Sequence, residues 1–142
     1  MTDTKKLSNG NEKGLEKSET SKKEELTKIL QNLRKIGQVV GSSIISTDGL
    51  LIASDLGGGI EADTFAAMSA AMLGAAETAA SELKQGSIRQ VIVEAEEGKI
   101  IAISAGEKAI LVILAKPELK LGLALLELGK ASNKISESLG EK

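Results

Sequence analysis

Ala109-Ile110-Leu111-Val112-Ile113-Leu114-Ala115 is the stretch that decides the fold. Seven residues suit a strand better than a stable helix, and no position in the run is polar. A strand with one solvated face alternates apolar and polar side chains, whereas one covered on both faces stays apolar throughout. The run therefore predicts a central strand held between two layers, within a strand spanning Lys108 to Ala115.

Outward from this strand, Ala105-Gly106-Glu107 and Glu96-Glu97-Gly98 read as tight turns, which mark off strands over Lys99–Ser104 and Ile88–Ala95. Upstream, Val39–Thr47 and Leu50–Ser54 form a hairpin about Asp48-Gly49, read as a two-residue turn because both positions tolerate positive φ. Connections this short cannot carry crossover helices, so the five strands pair antiparallel. Pro117, the only proline, is placed in the first turn of a final helix that runs to about Leu139. Leu121, Leu125, Leu128, Ser132, Ile135 and Leu139 form its core stripe.

The first helix starts at a capping box, Ser21-Lys22-Lys23-Glu24. It carries Leu26, Ile29, Leu30, Leu33 and Ile36 at helical spacing and ends at Gly37. Gly57-Gly58-Gly59 then leads into a long helix over roughly Glu61–Lys84. The order is α-β-β-α-β-β-β-α, an α/β fold with a five-stranded antiparallel sheet and helices on both faces. Residues 1–20, rich in Lys, Glu, Ser and Asn, cannot bury enough surface to offset ordering and are expected to be a disordered tail. The domain occupies 21–142.

Composition removes whole classes of function. The 142 residues include 18 basic and 20 acidic side chains, a balance unlike a nucleic-acid surface and without a polybasic membrane patch. There is no Cys, His, Trp or Tyr, and one Phe. Disulfides, thiolate or imidazole metal sites and the commonest general base are thereby absent, and base stacking has almost nothing to work with. No signal peptide and no run long enough to insert in a membrane is legible, so the expectation is a cytoplasmic protein without a cofactor.

The long helix carries more information than its length. Phe65, Met68, Met72, Ala75, Ala76, Ala79 and Leu83 form the stripe expected to face the sheet. The opposite stripe, Ala67, Ala70, Gly74, Thr78 and Ser81, would be solvated in an isolated domain, yet Glu77 is the only charge between Thr64 and Ser81. High helix propensity alone could account for the alanines. It does not account for Gly74, because a mid-helix glycine costs about 1 kcal/mol relative to alanine unless close packing repays it. The surface therefore predicts a second helix. Strand Ile88–Ala95 is joined by a hairpin on one side only and is expected at a sheet edge, where Val91-Ile92-Val93 would invite aggregation. Pairing with the same strand of a second copy removes that hazard and makes a two-fold interface.

Taken in order, Ser46-Thr47-Asp48-Gly49-Leu50-Leu51-Ile52-Ala53-Ser54, Asp63-Thr64-Phe65-Ala66-Ala67-Met68-Ser69-Ala70-Ala71-Met72, Ile88-Arg89-Gln90-Val91-Ile92-Val93-Glu94 and Ala109–Leu114 resemble the Roadblock family, relatives of a dynein light chain with a profilin-like fold. The likeness spans Leu26 to Ile135. It implies a dimer in which the long helices pair and the strands after them join two sheets. By position, the dimer surface is Ala67, Ala70, Gly74, Thr78 and Ser81, with Ile88, Gln90, Ile92 and Glu94 on the strand. The resemblance also implies a regulator or scaffold of a small Ras-like GTPase, as in bacterial polarity and gliding regulators, or alternatively a structural adaptor without effect on GTP turnover.

No catalytic or metal residue is assigned, and the protein is read as a non-enzyme. An arginine finger would have to be Arg34 or Arg89, which are read instead as a solvated helix charge and an edge-strand charge. Gly57-Gly58-Gly59 lacks the Gly-Lys-Ser/Thr of a phosphate loop. Glu94, Glu96 and Glu97 read as hairpin-tip charges rather than a hard-metal site. A ligand sensor on a similar scaffold is disfavoured by the lack of aromatic and His residues to line a pocket. On the last helix Leu119, Leu123 and Leu126 lie opposite the core stripe, and are expected to be covered by the sheet's end or by a partner.

Overall fold

The computed structural model describes residues 21–140. The tail expected over 1–20 lies outside them. Residues 21–33 are helical (α1) and pass into a 3₁₀ turn, Arg34–Ile36, closed by Gly37. Strands β1 (Val39–Ser46) and β2 (Leu51–Asp55) precede the long helix α2 (Ala62–Glu82). Strands β3 (Gln90–Ala95), β4 (Gly98–Ala105) and β5 (Ala109–Ala115) lead to α3 (Leu121–Ser138). Ser21 is itself helical, so it is not the capping residue expected before α1.

The sheet order is β2-β1-β5-β4-β3, every pair antiparallel. The all-apolar strand is thus the middle one. Leu111, Val112 and Ile113 are fully buried, and each such side chain contributes about 1.5–3 kcal/mol of transfer free energy. Their alternation divides the core into two layers. Leu111 and Ile113 pack with Leu26, Leu30, Leu128 and Ile135 of α1 and α3 on one face. Ile110 and Val112 pack with Ala66 and Leu73 of α2 on the other.

Two connections depart from expectation. Four residues, Thr47–Leu50, separate β1 from β2, and of these only Gly49 takes positive φ (+91°). The Gly49 N–H donates to Ser46 O at 2.9 Å and the Leu50 N–H to Ser46 Oγ at 3.0 Å. The serine side chain stabilises this longer loop, and Asp48 avoids the left-handed region. Pro117 sits four residues before α3 rather than in its first turn. It occupies the second position of a turn closed by the Leu119 N–H to Lys116 O, where its fixed φ is equally suited.

Candidate functional site

Helix α2 opens with Asp63 in its first turn, favourably placed at the positive end of the helix dipole. It ends with Lys84 in the left-handed region (φ +56°), where the Lys84 N–H reaches Ser81 O and the Gln85 N–H reaches Ala80 O. Its buried residues are Ala66, Ser69 and Leu73, with Phe65, Ala70 and Met72 packed beside them.

This face is rotated by roughly a quarter turn from the expected core stripe. Met68 (68% exposed) and Leu83 (69%) project outward, as do Ala75 and Ala79. The physical reason is that α2 is apolar nearly all round, so ranking residues by size does not locate the sheet. Small side chains at Ala66 and Ser69 do, because they let the helix sit close over β1.

The outward face consists of Ala67, Met68, Ala71, Ala75, Thr78, Ala79 and, at its end, Ser81, Glu82 and Leu83. Of the expected interface residues, Ala67, Thr78 and Ser81 lie on it. Gly74 flanks it, and a Cβ added there would have nothing within 4 Å. Thr78 donates its hydroxyl to Gly74 O at 3.0 Å, satisfying its polar group within the helix. Ala70 is half-buried, its Cβ 3.3 Å from a Cβ placed at Gly49, so it packs under the β1–β2 loop. Met68 and Ala75, expected on the core stripe, and Ala71 join this face through the same rotation of α2.

Strand β3 is an edge, paired only with β4. It begins at Gln90, which places Ile88 and Arg89 before it. The strand's alternation splits the expected surface. Ile92 packs into the α1/α3 layer, and Glu94 pairs with Lys99 (3.8 Å), whose Nζ also donates to Leu119 O at 3.5 Å. Val91 and Ile88 pack into the α2 layer. Val93, opposite Ile100, shares the α2-facing parity and is half-buried. The strand side chains continuous with the α2 face are therefore Val91 and Val93, not Gln90, Ile92 and Glu94. Knowing that β3 pairs with β4 in the register Val91↔Ala102 would have revealed this.

Between the C-terminal half of α2 and the β4–β5 turn lies a cleft of about 660 Å³. Its lining includes Leu73, Glu77, Ser81, Lys84, Ser87 and Ile88. Among the described residues no group of three or more His, Cys, Asp or Glu side chains is placed to hold a metal ion, and no helix is long and apolar enough to cross a membrane. Glu96 and Glu97 form the two-residue loop between β3 and β4, so Glu96 lies in the turn and not on the strand. Arg34 Nε donates to Asp55 Oδ2 at 2.5 Å, and this bond, with the carboxylate charge, raises the guanidinium pKa. Arg89 is exposed just before β3.

On α3 the three leucines separate. Leu119 is 4% exposed and belongs to the core, while Leu123 and Leu126 stand 52% and 58% exposed. The loop that carries Pro117 turns Leu119 inward before the helix starts, which a helical projection could not anticipate.

The profile of the Roadblock/LC7 domain family matches residues 25–115. An uncharacterised protein of Methanocaldococcus jannaschii is 38% identical over 110 residues, covering 78% of this chain and 96% of its own length. Among solved structures, a Roadblock/LC7 domain from Streptomyces avermitilis superposes with a TM-score of 0.75 at 21% identity, covering 80% of this chain and 96% of that one. MglB of Myxococcus xanthus also gives 0.75, at 19% identity, over 80% of this chain and 94% of that one.

Proposed function

Because the chain belongs to the Roadblock/LC7 domain family, we propose that it is a non-catalytic homodimer that regulates a small Ras-like GTPase. One observation carries the dimer: an outward face on α2 whose one charge is Glu82 in the last turn, with Met68 and Leu83 more than two-thirds exposed, adjoins an unpaired edge strand. A large apolar surface left in water marks an interaction site, and an open apolar edge calls for a strand to pair with. A second copy satisfies both demands at once, through two-fold pairing of α2 with α2 and β3 with β3.

The GTPase follows from the family resemblance, not from any residue of this chain. With Arg34 held by Asp55, and Arg89 next to the edge strand that the proposed dimer pairs, regulation would act by ordering the GTPase's own catalytic groups rather than by lending an arginine. The deciding experiment measures GTP turnover by Ras-like GTPases of the source organism, with and without the chain, alongside co-elution. A changed rate supports the regulator. Co-elution with an unchanged rate assigns the chain to the adaptor class instead, and no association with any of them removes the GTPase from the reading.

A further inference from the structure

Charge in this molecule is unevenly divided between the segments that form α1 and α3 and the rest of the chain, although Asp55 and Glu94 of the rest also lie on the α1/α3 side. The α1 and α3 segments, residues 21–36 and 116–140, carry nine basic and five acidic side chains, for a net of +4. Residues 37–115 carry four basic and ten acidic, for a net of −6. The overall balance near neutrality conceals this division. The only large apolar side chains exposed on the basic segments are Leu123 and Leu126. Leu123 lines a groove of about 380 Å³ between the helices, with Asn32, Lys35, Ile36 and Glu127, and Leu126 lies one turn further along α3. Glu127 is already engaged, its carboxylate 3.5 Å from Lys130 Nζ. Lys35, Lys120, Lys130 and Lys134 are all exposed around it.

We infer that this groove is a second docking surface, and that its occupant is an acidic amphipathic helix of a partner protein. Two leucines at i, i+3 offer apolar contacts at the spacing of another helix's anchor residues. The lysine rim selects carboxylates flanking those anchors and steers their approach. A lipid surface fits less well: two leucines do not make a broad apolar face, and Glu118, Glu127 and Glu137 would oppose anionic headgroups. The groove lies across the sheet from α2 and stays open in the proposed dimer, so this inference does not depend on the GTPase reading.

The test uses the full chain and two synthetic helical peptides with the same leucine spacing, one flanked by Glu and the other by Lys. Amide chemical shifts of the labelled protein report where each binds. The inference requires that the Glu peptide perturb residues 28–36 and 120–134, and that its affinity fall with added salt. It also requires a loss of about tenfold or more in Leu123→Ser/Leu126→Ser, as for removal of an interface anchor. The two exposed leucines can be replaced without opening the core, and the comparison of peptides needs no variant at all. Equal binding of the Lys peptide, shifts confined to α2 or β3, or no shift at about 1 mM peptide would each overturn it. So would binding of the chain to phosphatidylserine vesicles that is lost in the same double variant.

Discussion

Arg34 and Asp55 join the 3₁₀ turn after α1 to the last residue of edge strand β2. Arg34 Nε donates to Asp55 Oδ2, and Nη2 reaches Asp55 O at 3.4 Å. The bond raises the arginine's pKa, first through the hydrogen bond and then through the carboxylate charge. A raised pKa means the stabilisation is complete below the unfolded arginine value and is lost only as pH rises through the still higher folded one. The arginine therefore stays charged throughout the usable pH range. Arg34→Ala is expected to leave any effect on GTP turnover intact while speeding amide exchange at β2. Loss of turnover with unaltered exchange would make Arg34 a finger after all.

The layers were legible because β5 is apolar at all seven positions, and only burial on both faces explains that. The edge position of β3 was legible from its single hairpin. The face of α2 was not. With Ala, Met, Leu and Phe on every side, periodicity has no minimum to find, and small residues at Ala66 and Ser69 set the approach instead. The parity of β3 failed for a related reason, since its residues are apolar toward both layers and the register with β4 decides which of them adjoin α2.

The separation of the α3 leucines gives a direct stability contrast. Leu119→Ala removes a buried side chain and should cost about 2–5 kcal/mol. Leu123→Ala, at an exposed position, should change stability by less than about 0.5 kcal/mol. Urea denaturation of both variants checks the assignment, and equal costs would return Leu119 to the surface.

Ser42 and Ser43 are fully buried on β1, and neither hydroxyl has a hydrogen-bond partner among the described residues. Removing an unsatisfied buried hydroxyl relieves a desolvation cost of about 1–3 kcal/mol. Ser43→Ala should accordingly be neutral or raise the urea midpoint. A marked fall would show that the hydroxyl is engaged in solution.

Gly74 separates folding from association. A Cβ there meets nothing within 4 Å, so Gly74→Ala should gain about 0.5–1 kcal/mol of helix stability within one chain. Gly74→Leu starts from the same open Cβ position but obstructs a close helix partner, and is expected to shift light scattering towards monomer. Ala70→Glu would not serve, because Ala70 packs beneath Gly49 and the charge would disturb the fold itself. A Gly74→Leu protein that stays dimeric at micromolar concentration would move the partner helix off this face.

The edge strand offers the complementary test. Val93 lies on the α2-facing side and Gln90 on the other, so side-chain contacts to a paired helix should involve the valine alone. Val93→Lys introduces a charge that an isolated edge tolerates in water, yet one that would be desolvated beside a second α2. We expect the dimer to weaken by about tenfold or more, as for loss of an interface anchor, with the thermal unfolding of the monomer little changed. Gln90→Lys is the control and should leave association within about threefold, since exposed charges contribute less than about 1 kcal/mol. Sedimentation across a dilution series distinguishes the two. If Gln90→Lys proves the more disruptive, the copies meet through the α1/α3 side of the strand, and the role assigned to the outward face of α2 fails with it.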